Sequence, residues 1–153
     1  MKKFIVRSIS GIVFAGLIIG SIFTGPFVFA NVFLAFLILG LVEFFTFSKT
    51  KESNKNAITY YTSGILLYIL FTLISWRLLP ISYWVFGIGI IFIVMIIQVL
   101  RNSKNPIKNL GMHFFSYVYL VVPIALLNFL FYTSFELNDK VTFLLIGIFG
   151  ITW

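Results

Sequence analysis

Apolar residues along the chain are grouped in long runs that are separated by short polar segments. The runs cover about residues 4–23, 26–47, 59–76, 81–100 and 110–132, and a shorter run covers 141–153. A helix rises about 1.5 Å per residue, so each longer run approaches or exceeds the roughly 30 Å of a bilayer's hydrocarbon core. We therefore predict an all-α fold: one membrane-embedded domain, a polytopic transmembrane helical bundle with five full spans and a truncated sixth.

The two ends of the chain raise questions of processing and length. Lys2, Lys3 and the apolar run after them resemble a secretory signal peptide, but the apolar character resumes at once and continues to Phe47. We therefore expect the first run to stay in the membrane as a span. The last run reaches only about 20 Å at 1.5 Å per residue. Because a carboxylate inside the bilayer is unfavourable, we expect 1–153 to be the amino-terminal part of a longer chain.

Several residues inside the runs predict local features of the helices. Gly16 and Gly20 have the small-xxx-small spacing that lets two helices approach closely. Gly87, Gly89, Gly147 and Gly150 are also interpreted as helix-packing positions. Pro123 is expected to kink the fifth span. His113, near the start of that span, is interpreted as hydrogen-bonded or headgroup-facing, because no second histidine or cysteine lies near it to form a metal site.

Composition supports the membrane assignment. Hydrophobic residues make up 61% of the chain, charged residues 10%, and the mean hydropathy is +1.11, values far from those of soluble domains. The net charge of +7 is confined to short segments between the runs, which indicates membrane topology rather than nucleic-acid binding. The chain has no cysteine, which excludes disulfides, thiolate metal sites and cysteine nucleophiles.

The positions of the cations predict the orientation of the bundle. If the N-terminus is cytoplasmic, nine of the eleven cations lie on the cytoplasmic side: Lys2, Lys3, Arg7, Lys49, Lys51, Lys55, Arg101, Lys104 and Lys108. Arg77 and Lys140 are then the two on the opposite side. This distribution follows the positive-inside rule, so we predict a cytoplasmic N-terminus and a location in the cytoplasmic membrane.

Glu43 is the acid of most interest, because it lies in the final turns of the second apolar run. Two interpretations are open. Glu43 pairs at headgroup level with Lys49 or Lys51, or it faces the bundle interior as part of a site. Its shallow depth favours the first. No phosphate-binding loop, nucleophile elbow or HExxH motif is present, and Glu43 and Glu52, nine residues apart, make a poor Mg²⁺ site.

Three short motifs give the chain a family resemblance. Arg7-Ser8-Ile9-Ser10-Gly11 opens the first span, Gly25-Pro26 forms the turn after it, and Glu43-Phe44 closes the second span. With the order of spans and the basic segment after the second, these motifs resemble the amino-terminal part of bacterial phosphatidate cytidylyltransferase, or CDP-diacylglycerol synthase. The resemblance implies a multispanning enzyme that condenses CTP with phosphatidic acid at the cytoplasmic face, forming CDP-diacylglycerol and pyrophosphate, with Mg²⁺ held by aspartates.

The resemblance ends before the family's acidic and nucleotide-binding segments, which are expected beyond Trp153. No catalytic or metal-binding residue of the family can therefore be placed on this chain, and the segment alone is expected to be inactive. We interpret Arg7, Glu43, Lys49 and Lys51 as the lipid-headgroup end of the site, with a homodimer possible. The alternative function is a noncatalytic or transport membrane protein, although no inverted repeat is evident and the midplane is nearly free of ionisable groups.

Overall fold

The computed structural model describes residues 2–47, 54–100 and 106–137, and every regular element within them is helical. The helices are α1 (Lys2–Thr24), α2 (Pro26–Phe47), α3 (Asn54–Ser75), a 3₁₀ turn (Ile81–Tyr83), α4 (Trp84–Leu100), α5 (Pro106–Ser116), a π-helical turn (Tyr117–Val121) and α6 (Val122–Leu137). The all-α prediction is therefore confirmed over the described part of the chain.

Four helical segments are long and apolar enough to cross a membrane: Pro26–Thr46, Ile58–Ser75, Ile81–Leu100 and Leu110–Tyr132. They coincide with the second to fifth predicted runs. The first run is α1, whose apolar part, Gly11–Thr24, is shorter than a span. The truncated sixth run lies outside the described residues.

Two helix starts differ from the prediction, and both have a local explanation. The third apolar run was predicted from about residue 59, but α3 already begins at Asn54, because the polar residues before the run belong to the same helix. The fifth run was predicted from about residue 110, and α5 begins earlier, with Pro106 as its first residue. Proline suits that position, since the first turn of a helix needs no N–H donor.

α3 is at the centre of the helix packing; helices adjacent in the chain run antiparallel, whereas α6 runs parallel to α3. α1 packs against α2, α2 packs against α3 and α6, and α4 packs against α3 and α5. The turn between α1 and α2 is the single residue Gly25, whose φ of +117° is accessible to glycine and strained for other residues. This tight turn makes α1 and α2 a hairpin, as the sequence predicts.

Aromatic and aliphatic side chains of α2, α3 and α6 form the centre of the core. Phe29, Leu37 and Leu41 of α2 are fully buried, and the Phe29 ring stacks on that of Phe131 with centroids 4.2 Å apart. Because the hydrophobic effect does not drive helices together in lipid, such close packing is a main source of their association.

A hydrogen-bonded network, called here the satisfied network, joins the same three helices. The Tyr68 hydroxyl donates to the Ala30 carbonyl at 2.7 Å, and the Asn128 amide donates to the Tyr68 hydroxyl at 2.5 Å and to Thr72 Oγ1 at 3.1 Å. Ser75 Oγ donates to the Asn128 carbonyl at 3.0 Å. These buried polar groups fix the positions of α2, α3 and α6 relative to each other.

Close to Pro123, where a kink was predicted, the helix contains the π-helical turn Tyr117–Val121, which ends two residues before the proline. Proline has no N–H and its ring displaces the carbonyl one turn earlier, so the regular bonding pattern cannot pass through this point. A π-helical turn accommodates the resulting mismatch. α5 and α6 therefore form one span that is interrupted near its middle.

α3 ends in a Schellman motif with an unusual residue at its left-handed position. The Leu78 N–H donates to the Leu73 carbonyl at 3.1 Å and the Arg77 N–H to the Ile74 carbonyl at 3.0 Å, which is the bonding pattern of that motif. Arg77 has a φ of +55°, where glycine or asparagine is usual. For a residue with a Cβ the left-handed conformation costs roughly 1–2 kcal/mol.

The structure shows the predicted helix contact at one of the glycines interpreted as packing positions and not at others. A Cβ at Gly87 would lie 3.5 Å from the side chains of Leu70 and Phe71, so this glycine is at a helix contact as predicted. A Cβ at Gly16, Gly20 or Gly89 would meet no atom of the described chain within 4 Å. The packing role predicted for these three glycines is therefore not seen among the described residues, and Gly147 and Gly150 lie outside them.

Candidate functional site

The α1–α2 hairpin brings Arg7 and Glu43 to the same end of the bundle. The two residues are equally far in sequence from Gly25, and at 1.5 Å per residue each lies about 27 Å along its helix from the turn. This is the predicted cytoplasmic end, called here the inner end. The Arg7 side chain, Lys49 and Lys51 lie outside what the structure describes, so their predicted roles are untested.

Glu43 is on the outside of the bundle. Its side chain is exposed, whereas Leu41, two residues earlier, is fully buried in the core. The alternative in which Glu43 faces the bundle interior is therefore not supported. An exposed carboxylate near the end of a span is placed where headgroups and nearby cations can reach it.

A second set of polar residues, which the sequence did not reveal as a group, is buried where α3, α4 and α5 meet near the inner end. This inner junction consists of Tyr60, Ser63, Gln98, His113, Ser116 and Tyr117, all buried. Tyr60 is the third residue of its span, His113 the fourth, and Gln98 the third from the end. The group therefore begins about one turn inside the membrane boundary.

Side chains of α3 contact those of α5 and of the π-helical turn directly in the inner junction. Ser63 Oγ and the Tyr117 hydroxyl are hydrogen-bonded at 2.6 Å, and Ser116 Oγ donates to the His113 carbonyl at 2.7 Å. The rings of Tyr60 and His113 lie edge to face with centroids 5.2 Å apart. His113 is thus enclosed between helices, so of the two interpretations, hydrogen-bonded or headgroup-facing, the second is not supported.

The packing register places Gln98 at the level of Tyr60. Gly87 lies against Leu67, Leu70 and Phe71, and Gln98 is on the same buried stripe of α4, three turns further on. Since α3 and α4 are antiparallel, three turns in the opposite direction along α3 lead from those residues to the region of Tyr60.

Two groups of the inner junction have no hydrogen-bond partner in the described part of the chain. These groups are the Tyr60 hydroxyl, which lies close to Ser116, and both polar atoms of the Gln98 amide. A buried donor or acceptor without a partner costs about 1–3 kcal/mol. The one sequence feature that could have indicated the inner junction is Gln98, an isolated amide in an otherwise apolar run.

The described residues do not provide a metal site. No group of three or more His, Asp or Glu side chains lies together within residues 2–47, 54–100 and 106–137. The inner junction has neutral hydroxyl and amide groups and one imidazole, whereas Mg²⁺ prefers carboxylate and phosphate oxygens. The inner junction can therefore donate and accept hydrogen bonds but does not supply the ligands for Mg²⁺.

Four helices of spanning length around a common core define a multi-pass membrane protein, and comparison with known proteins identifies its family. A family model described as the cytidylyltransferase family matches residues 5–153, which is nearly the whole chain. The chain belongs to this family, and the resemblance to phosphatidate cytidylyltransferase is confirmed. Membership implies a cytidylyltransferase-type function with CTP as a substrate. No curated protein and no solved structure matches the chain.

Proposed function

We propose that the protein is a phosphatidate cytidylyltransferase of phospholipid biosynthesis. The observation that carries this proposal is the family match over residues 5–153, combined with four helices that can span a membrane. In the proposed reaction a phosphate oxygen of phosphatidic acid attacks the α-phosphorus of CTP. The bond between the α- and β-phosphates breaks, CDP-diacylglycerol forms and pyrophosphate leaves.

The lipid substrate explains why such an enzyme is built from spanning helices. Phosphatidic acid keeps its acyl chains in the bilayer, so its phosphate is presented at the headgroup level, where soluble CTP arrives from the cytoplasm. The inner end of the bundle, where Arg7 and Glu43 lie, is at that level under the predicted topology. We place the reaction in the cytoplasmic membrane for the same reason.

Arg7, Lys49 and Lys51 are proposed to attract the phosphatidate headgroup at the inner end. Each cation near the membrane surface contributes about 1 kcal/mol towards an anionic lipid. Glu43 is proposed to pair with one of these lysines and so to orient it. Its exposure on α2 leaves the carboxylate accessible for that contact.

Mg²⁺ is proposed as the cofactor because the family resemblance implies it. When bound, it neutralises charge on the reacting phosphates. The described residues do not include its ligands, so no step is assigned to it here. A homodimer also remains a proposal, supported by the resemblance alone.

The test is an activity assay on membranes from cells that express the complete gene product. CTP labelled at the α-phosphate is supplied with phosphatidic acid and Mg²⁺, and label is expected to move into the lipid phase. CTP labelled at the γ-phosphate and phosphatidylglycerol in place of phosphatidic acid are the matched controls, and neither should label the lipid. Lipid labelling no higher than in membranes without the protein would favour the noncatalytic or transport alternative.

A further inference from the structure

A lateral crevice opens between α3, α4 and α6, at the opposite end of the bundle from the inner junction. Its cavity volume is about 80 Å³, and its lining consists of Phe71, Trp84, Val122, Ala125, Leu126 and Phe129. Phe71 and Trp84 contact each other edge to face with centroids 5.2 Å apart. The lining is apolar and aromatic, so the occupant must offer a hydrocarbon surface.

The crevice follows from the interrupted fifth span. α4 packs against α5, but beyond the π-helical turn and Pro123 the chain continues as α6, which packs against α3 and α2 instead. α4 and α6 therefore diverge, and the space between them is the crevice. π-Helical turns of this kind are frequent at functional sites.

Among the described residues, the mouth of the crevice is continuous with an exposed apolar surface. Trp84 and Leu126 are both 40% or more exposed, and next to Trp84 the apolar residues Val85 and Phe86 are exposed as well. In a helix of spanning length this surface is in contact with acyl chains. A hydrocarbon chain can therefore enter the crevice sideways from the bilayer.

Arg77 places a cation at the same end of the bundle. It lies in the turn that connects Phe71 of α3 to Trp84 of α4, and its side chain is exposed. Arg77 has a left-handed backbone conformation that glycine would adopt without strain. It is also one of the two cations outside the predicted cytoplasmic set.

We propose that the crevice and Arg77 together bind an anionic phospholipid in the outer leaflet. One acyl chain lies between α4 and α6, and the phosphate lies near Arg77. This site is at the opposite end of the spans from the proposed headgroup site for phosphatidic acid. It is therefore independent of catalysis and is tested by binding alone.

Fluorescence quenching of Trp84 tests the proposal in the complete protein. Trp76, Trp153 and any tryptophan of the gene product outside residues 1–153 are replaced by phenylalanine, so that Trp84, one of the three tryptophans in residues 1–153, is the reporter. The protein is reconstituted in bilayers that contain a small fraction of phosphatidylglycerol or phosphatidylcholine with brominated acyl chains. We expect brominated phosphatidylglycerol to quench Trp84 at several-fold lower mole fraction than brominated phosphatidylcholine.

Two variants and one control separate the parts of the site. Ala125→Phe fills the crevice, and Arg77→Gly removes the cation and relieves the backbone strain. Each should abolish the preference for phosphatidylglycerol, and Arg77→Gly should do so without lowering the thermal stability. Ile96→Phe, at an exposed position at the other end of α4, should leave the preference unchanged.

Two results would overturn the proposal. The first is equal quenching by the two lipids. The second is a photo-crosslinker at position 125 that joins another segment of protein rather than lipid, since a helix would then occupy the crevice. Neither result depends on enzyme activity, so the proposed cytidylyltransferase function is judged separately.

Discussion

At the scale of single residues, the satisfied network and the inner junction differ in how completely their polar atoms are hydrogen-bonded. In the satisfied network the Tyr68 hydroxyl is hydrogen-bonded to the Ala30 carbonyl of α2 and to the Asn128 amide of α6. In the inner junction the Tyr60 hydroxyl and the Gln98 amide have none among the described residues. This contrast gives a direct test of what each hydroxyl contributes to stability.

Tyr68→Phe is expected to destabilise the protein, and Tyr60→Phe is not. Removing the Tyr68 hydroxyl leaves the buried Ala30 carbonyl and the Asn128 amide each without one partner, at about 1–3 kcal/mol. Tyr60→Phe removes a buried hydroxyl without a geometric hydrogen-bond partner among the described residues, so the free energy of unfolding should stay the same or increase. Unfolding in mixed micelles measures both, and equal losses would show that Tyr60 has a partner.

Arg7→Gln is expected to raise the KM for phosphatidic acid about five-fold, which corresponds to about 1 kcal/mol from one cation near the surface. The KM for CTP should stay unchanged, because the substitution affects attraction of the lipid. Arg7→Lys, which keeps the charge, is the control. An unchanged KM for phosphatidic acid in Arg7→Gln would remove Arg7 from the proposed headgroup site.

At the scale of helices, the bundle depends on close approach at a few small residues. A Cβ at Gly64 of α3 would lie 2.9 Å from Leu41 Cδ1 and 3.5 Å from Val121 Cγ2. Leu41 and Val121 are fully buried, so neither side chain has free space to move into. Gly64 therefore fixes the distance between α3, α2 and the π-helical turn.

Gly64→Ala is expected to destabilise the protein by about 1–3 kcal/mol, as other overpacking substitutions do. Gly89→Ala, at a helix position where a Cβ meets nothing within 4 Å, is the matched control. It should be neutral or stabilise by up to about 1 kcal/mol, because alanine favours the helix. A comparison of thermal unfolding in the same detergent checks the pair, and similar effects at both sites would argue against this packing.

At the scale of the whole molecule, the positive-inside rule predicts which ends of the helices face the cytoplasm. Residues 1–153 contain no cysteine, so a single cysteine introduced there reports its own location once any cysteine elsewhere in the gene product is replaced by serine. Ser103→Cys should react with a membrane-impermeant maleimide when membranes are inverted, and Leu78→Cys should react in intact cells. The reverse pattern would invert the topology and move the proposed headgroup site to the other face.

The sequence predicted the helical class, the second to fifth spans and the family, because hydrophobic periods and short motifs are local properties of the chain. It also predicted an irregularity at Pro123, since proline acts on its own helix. It did not predict the inner junction, because Tyr60, Gln98 and His113 are far apart in sequence and meet only through helix packing. For the same reason it placed Gly16 and Gly20 at a contact that is not seen among the described residues.

The amino-acid sequence by itself determined which segments enter the membrane and which family the protein belongs to. Both follow from residue types at given positions, whatever the segments later contact. Only the tertiary structure decided which faces of the helices are buried, that Glu43 is on the outside, and that α4 and α6 separate to form a crevice. Those features depend on the rotation and register of each helix against its neighbours, and packing selects them for the bundle as a whole.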